Sequence, residues 1–260
     1  MIHKTAIVDS KAKISSNVRI GPYSIIGPHV EIDDDVIIQS HVNIVGHTTI
    51  GRNNRIYPLA SIGSDPQDLK YKGEKTSLII GTNNIIREHA TINTGTIQGG
   101  GATKVGNNNL IMIGAHIAHD CIIGNNIVMA NNSAVAGHAE IQDFVIIGAK
   151  CGIQQFTRIG KMAMIGGMTA VSRDVIPYGL SIGNRNFLNG INVIGLRRDK
   201  VQNKEIIGLT EAYKEIFKSK NLSENLSKLN GKFKDNTLVK EVLEFINKDK
   251  KRPICTPYSD

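Results

Sequence analysis

The chain has 260 residues, 40% hydrophobic but only 5% aromatic and without tryptophan, and its 31 Lys+Arg outnumber 23 Asp+Glu for a net charge of +8. Its longest apolar runs are a few residues, so it offers no candidate membrane span or signal peptide, and its three cysteines form no C-x-x-C pair. The charge is accompanied by no nucleic-acid-binding motif and no basic–aromatic interleaving, which leaves an acidic partner, an anionic substrate or a merely solvated basic surface.

From Ile2 the chain keeps a six-residue beat of Ile or Val through Val8, Ile14, Ile20, Ile26, Ile32, Ile38, Ile44, Ile50, Ile56 and Ile62. The beat returns at Ile80, Ile86 and Ile92, and runs in shifted phase from Val105 to Val171. A period sustained this long marks a solenoid, and six is a β-helix period. With the Ile/Val as position one, position five is mostly small or apolar, as at Ala6, Val30, Ala90, Cys121 and Cys151. Side chains alternate across a strand, so positions one and five line a narrow interior and the rest face outward or lie at corners. Glycine is frequent at position two (Gly21, Gly51, Gly124, Gly160), where it suits the backbone angles of a sharp corner. Cys121 and Cys151 are expected as core fillers. Free buried thiols suit a reducing compartment and hence a cytoplasmic location.

The beat is interrupted at 64–78 (SDPQDLKYKGEKTSL) and 95–104 (GTIQGGGATK), polar, glycine-bearing stretches that read as loops ejected from the solenoid. They are either binding loops on a rigid scaffold or tolerated insertions. The pattern predicts a β-helix over 1–185. Past a Gly/Asn-rich transition, helical spacing in Lys204–Phe217 and Leu238–Ile246 predicts a helical C-terminal domain over 190–260, frayed near Pro253.

The densest polar cluster is Ala115-His-Ile-Ala-His-Asp-Cys121. His119 and Asp120 sit at positions three and four, on the outside. A histidine titrates near neutral pH, and an adjacent carboxylate orients its ring and stabilises the imidazolium, so the pair is a candidate general base. If three hexads make a coil of 18 residues, Gly137 stacks on His119, His138 on Asp120, and Gln155 on Gly137. A glycine in that column can present its N–H to a developing oxyanion.

The H-I-A-H-D-C stretch, N-N-S-A-V-A-G-H at 131–138, Q-D-L-K-Y-K-G-E at 67–74 and the helical tail together resemble the UDP-N-acetylglucosamine O-acyltransferases, over essentially the whole chain and in the same order. The resemblance implies a mainly β fold, a left-handed parallel β-helix of triangular section. The period alone dictates neither the triangle nor the hand, and the general crossover rule favours the right hand. It implies transfer of an (R)-3-hydroxyacyl chain from acyl carrier protein to the sugar 3-hydroxyl of UDP-N-acetylglucosamine, the first step of lipid A synthesis, by a homotrimer using no cofactor and no metal. It implies His119 as base, Asp120 as its orienting partner and Gly137 as oxyanion donor. His116, His138, Asp68, Lys70, Gln155, Asn192 and Arg198 would be substrate contacts, and Gly167 the residue that sets acyl length, its lack of a side chain leaving room for a longer chain. The sequence departs from well-known members at Gln154 and Asn93, where histidine occurs, and at Ile194, where glutamate occurs.

Three other readings remain at this stage. A trimeric zinc hydratase on the same fold would draw on His89, His116 and His119, but the close pair here is H-x-x-H rather than the longer spacing that site uses. An acyltransferase acting on an amino sugar could use the same base. A non-catalytic solenoid predicts polar residues without columnar order.

Overall fold

The structure, a computed structural model, describes residues 1–229, 231–249 and 252–258. Three sheets of nine, eight and ten short strands, parallel except for the last strand of the third, form the faces of a prism that winds left-handed. The first face runs from Ile7–Val8 to Ala170–Val171, the second from Lys13–Ile14 to Arg158–Ile159, and the third from Arg19–Ile20 to Phe187–Ile191. Ile117, Val135, Ile153 and Val171 pair in turn at 18-residue steps. Position-one residues from Ile20 to Val171 are 3% exposed or less, whereas Ile2 at the open end is 50% exposed.

The corners correct one expectation. Backbone in the left-handed region lies at position four, not at position two: Tyr23, Asp35, His41, Asn53, His89, Asn108, Asp120, Asn126, His138 and Phe156 all have φ near +60°. Asn, Asp and His tolerate this region better than most residues, which accounts for His41, His89 and His138 at position four. The position-two glycines answer a packing demand. A Cβ on Gly21 would stand 2.7 Å from the Gln39 carbonyl carbon, and one on Gly124 2.4 Å from Asp143 Oδ1, in the next coil.

The interior is not wholly apolar. Asn54, Asn84 and Asn109 occupy position five at the corner between the second and third faces, each 1% exposed or less. Asn54 donates to the Gly51 and Gly81 carbonyls and accepts from Asn84 N–H. Asn84 donates to Gly106 O and accepts from Asn109 N–H, and Asn109 repeats the pattern with Gly124 and Ile127. Each buried side-chain amide is thus paired by the backbone of the following coil.

The loops are shorter than the sequence suggests, because their distal ends are strands. Ser77–Ile80 and Ala102–Val105 rejoin the second face, so the ejected chain is 65–76 and 94–101. Both loops leave the corner between the first and second faces, in successive coils.

The third face continues past residue 185 through an antiparallel hairpin, Gly179–Ile182 with Phe187–Ile191. Helices α1 (Val193–Arg198), α2 (Asn203–Ile216), α3 (Leu222–Lys228) and α4 (Thr237–Lys248) follow, α2 and α4 burying Ile206, Leu209, Ala212 and Ile216, and Val239, Val242, Phe245 and Ile246. The described C-terminal segment is pinned rather than frayed: Pro253 O accepts from Asp174 N–H, Cys255 N–H donates to Asp174 O, and Cys255 is fully buried. The end of the expected tail, at 259–260, lies outside the described residues. Arg158 ties this end of the prism to α4. It donates to Asp174 and to the Phe245 and Asp249 carbonyls, where a cation also suits the helix C-terminus. Among the described residues no helix is long and apolar enough to cross a membrane.

Truncating Asn84→Ala should orphan Asn109 N–H and Gly106 O in the core. The expected loss is about 2–4 kcal/mol of stability, read as a fall in thermal midpoint with the strand content of the folded state unchanged.

Candidate active site

Corner geometry places the polar column. Stacking at 18 residues sets His119, Gly137 and Gln155 in line at position three, and Asp120, His138 and Phe156 in line at position four. The two ejected loops occupy the same corner in the two coils below.

The loops change the environment expected for the pair. His119 and Asp120 are not on an open surface but are 8% and 5% exposed, and the Asp120 carboxylate is fully enclosed. Its Oδ1 accepts from Thr96 N–H at 2.7 Å. Its Oδ2 accepts from Thr96 Oγ1–H at 2.7 Å and from His119 Nδ1–H at 2.8 Å. Asp120 N–H donates to Thr103 Oγ1 at 2.8 Å. A carboxylate bonded to Nδ1 selects the tautomer that leaves Nε2 unprotonated.

The His119 ring lies against Gly137. A Cβ built there would meet His119 Cε1 at 2.5 Å and Nε2 at 2.7 Å, so this position has no room for a side chain. Among the described residues Gly137 N–H makes no backbone hydrogen bond: its neighbours Ala136 and His138 donate to Ile153 O and His119 O, but Gly137 is left out of the ladder. Most position-three residues share this, Thr94 being an exception, and position three is also where Pro22, Pro28 and Pro58 stand.

A groove of about 510 Å³ opens beside this pair along the first face, lined by His116, His119, Gly137, Gly152, Gln154 and Gln155, with Gln67 of the first loop among the remaining walls. Its floor is made of small outward residues, Ala134, Gly152 and Ala170. His116 Nδ1 is 2.7 Å from Thr91 Oγ1. Burial, aided by the proximity of His119, holds His116 below the ordinary histidine range. Burial also lowers His138, against the partial opposing pull of Asp120 and Asp68. His138 stacks on Phe156 at 4.4 Å and stands edge-on to His119.

Asp68 and Lys70 lie in the first loop, where Asp68 Oδ1 caps Lys70 N–H and its charge is felt at His138. Gln155 is exposed on the column. Gly167, Asn192 and Arg198 do not join this corner. Gly167 is at the opposite corner of the first face, three residues before Ala170. Asn192 caps α1 through Gly195 N–H and donates to Met162 O, and Arg198 is exposed at the end of that helix. The Asn93 amide nitrogen donates to Asp65 O, tethering the first loop rather than facing the groove with a titrating group. Sequence reasoning missed Thr96 and Thr103, although the position of the second loop directly below Asp120 was available from the 18-residue count.

His119, Asp120 and His138 bring three potential metal-ligand atoms within 4.8 Å of one another. Asp120 Oδ2 is already engaged by two donors, and His138 Nε2 stands 3.7 Å from it. The set is a hydrogen-bonded dyad with a stacked neighbour. His89 lies at the corner between the third and first faces, so the three histidines of the hydratase reading are not gathered within one chain.

Comparison with known proteins adds relatives of matching extent. A family described as "Udp N-acetylglucosamine O-acyltransferase; Domain 2" matches residues 174–255, and the bacterial transferase hexapeptide family matches 11–46 and 102–137. The acyl-(acyl-carrier-protein)–UDP-N-acetylglucosamine O-acyltransferase of Aliarcobacter butzleri is 51% identical over 94% of each chain. The protein of that name from Sinorhizobium fredii is 42% identical over 98% of this chain and 95% of its own. The solved structure of UDP-N-acetylglucosamine acyltransferase from Campylobacter jejuni superimposes with a TM-score of 0.93 at 38% identity, covering 100% of both chains.

Gly137→Ala should push the His119 ring off its seat and break the Nδ1–Asp120 bond while leaving the fold intact, since Gly137 does not need a left-handed backbone. Imidazole resonances of His119 in NMR should shift while the circular dichroism spectrum stays that of the parent.

Proposed function

The chain belongs to the UDP-N-acetylglucosamine O-acyltransferase family, and from that premise we propose how it moves an acyl chain from acyl carrier protein to a sugar hydroxyl of UDP-N-acetylglucosamine, the first step of lipid A synthesis. The acyl group is an (R)-3-hydroxyacyl chain and the acceptor is the 3-hydroxyl. The sugar oxygen attacks the thioester carbonyl carbon as its proton passes to His119 Nε2. The carbonyl electron pair moves to oxygen and is held by Gly137 N–H. The intermediate collapses, the C–S bond breaks, and the imidazolium returns its proton to the leaving thiolate of the carrier. Asp120 stays ionised and stabilises the imidazolium.

The observation that carries this reading is the enclosed dyad: a carboxylate on Nδ1, a free Nε2 and a spare N–H on Gly137 meet at the edge of one groove. His116 and His138, held below their ordinary range, are suited to bind as neutral rings. Asp68, Lys70 and Gln155 border the same corner and are assigned to the substrate. Arg198, exposed and permanently charged, is assigned to a phosphate, and Asn192 to the nucleotide beside it. The +8 charge suits an acidic carrier protein.

The distance in topology between the His119 corner and Gly167, Asn192 and Arg198 supports a homotrimer, in which one chain's corner meets another's. A stripe of Ile85, Leu110, Val128, Ile146 and Met164 on the outside of the third face supports it too, since a continuous outward apolar row calls for cover by another copy.

In a mass-spectrometric transfer assay with UDP-N-acetylglucosamine and 3-hydroxyacyl carrier proteins of several lengths, His119→Ala should lower kcat by about 10²–10⁴-fold with KM little changed. A change in KM alone would make His119 a binding residue. A Cβ at Gly167 meets only Ala149 O at 3.4 Å and Ala149 N at 3.9 Å, so a side chain fits without disturbing the fold. Gly167→Met should therefore shift donor preference toward shorter chains, and an unshifted profile would remove Gly167 from the acyl site.

A further inference from the structure

Asp120 holds an improbable place. It is a carboxylate with no exposed side-chain surface, at a backbone φ of +59°, in a corner otherwise filled by turns. An ionised carboxylate so enclosed is costly unless its oxygens are satisfied by donors. Among the described residues and apart from His119, the donors within hydrogen-bond distance both come from one residue, Thr96, through its N–H and its hydroxyl. Thr96 is itself 1% exposed and sits at the head of the short helical turn Ile97–Gly99, where its Oγ1 accepts from Gly99 N–H at 3.1 Å. The bonds form a directed chain: Gly99 N–H to Thr96 Oγ1, Thr96 O–H to Asp120 Oδ2, and His119 Nδ1–H to that same oxygen. Such chains polarise one another in a low-dielectric interior. The turn also closes directly over the carboxylate. A Cβ on Gly99 would stand 1.9 Å from Asp120 Cγ, so the loop approaches as near as only glycine permits.

We infer that the 94–101 loop is a positioning device for the catalytic pair, with Thr96 as the residue that fixes the Asp120 carboxylate and, through it, the tautomer and direction of the His119 ring. This rests on the reading of His119 and Asp120 as base and orienting partner. Thr96 touches neither substrate nor reacting atoms and acts only through Asp120. The other candidate role for the loop, a substrate contact, is served poorly by a hydroxyl that is buried and turned inward. With the hydroxyl gone the carboxylate keeps one backbone donor and gains freedom to turn about its χ angles, and the imidazole loses the fixed partner that sets Nε2 toward the groove.

The test compares Thr96→Val, which keeps shape and loses the hydroxyl, with Thr96→Ser, which keeps the hydroxyl, in the full-length enzyme under the transfer assay above. Thr96→Val should lower kcat by about 10–100-fold, the range for a hydrogen bond to a charged group, with KM for sugar nucleotide and donor within about twofold. Thr96→Ser should recover most of the rate. In an Asp120→Ala background Thr96→Val should cost nothing further, because the two act as one unit. Gly99→Ala, whose Cβ would press on the Asp120 carboxylate from the same turn, should reproduce the kcat loss if the valine variant folds poorly. An unchanged kcat in Thr96→Val, no rescue by serine, or an equal loss with and without Asp120 would overturn the role of Thr96 while leaving the dyad standing. Full activity in His119→Ala and Asp120→Ala would overturn the dyad itself.

Discussion

Everything in this molecule depends on coils stacking in register at 18 residues. Burying one isoleucine side chain contributes about 1.5–3 kcal/mol, but no hexad can hide its own, so the energy exists only between neighbours. Register is therefore enforced by the core, and it carries the corners with it. When Ile117 sits on Val135, His119 sits on Gly137 whether or not the corner itself favours that contact. The prism converts a one-dimensional count into a rigid column of functional groups. Its ends show the limit of the principle: Ile2 is half exposed at the open end, while the hairpin, the helices and the buried Cys255 close the other.

Corners are where such a fold leaves side chains and backbone free. Positions one and five are committed to the interior, and strands commit the N–H groups of positions two and six to the ladder. Position five mostly bonds back within its own coil, and position three is mostly spared any backbone partner, which explains both its prolines and the spare N–H of Gly137. Position four has left-handed backbone, which selects Asn, Asp and His. Asp120 and His138 thus occupy sites whose backbone already favours residues capable of acid–base and hydrogen-bond chemistry.

The same reasoning explains the loops. An insertion inside a strand would break two ladders, whereas one at a corner breaks none. Both insertions leave the corner that carries His119, and they roof it in two different ways. The first contributes Gln67 to the groove wall and the Asp68 charge felt by His138. The second removes Asp120 from water and supplies the donors that make its burial tolerable. At the far end, Arg158 plays the corresponding part for the helical tail, since Asp174, also enclosed, would be an unpaired charge without it.

The amino-acid sequence was enough to identify the solenoid, its interior positions, the interruption by two loops, the helical tail and the His119–Gly137–Gln155 column, because each follows from a period that the chain states openly. Its family resemblance supplied the hand of the coil, which no hexad encodes. What it left hidden was the environment of the column. The burial of Asp120, the paired donors of Thr96 and the asparagine ladder at Asn54, Asn84 and Asn109 depend on contacts between coils and loops some 20 residues apart or more, and polar residues at inward positions look like errors until their partners are seen. The role of the position-two glycines was likewise decided only in three dimensions, because their constraint comes from the backbone of the next coil and not from their own. Periodicity is a property of the chain and can be read along it. Enclosure is a property of what folds over a residue, and only the tertiary structure could decide that.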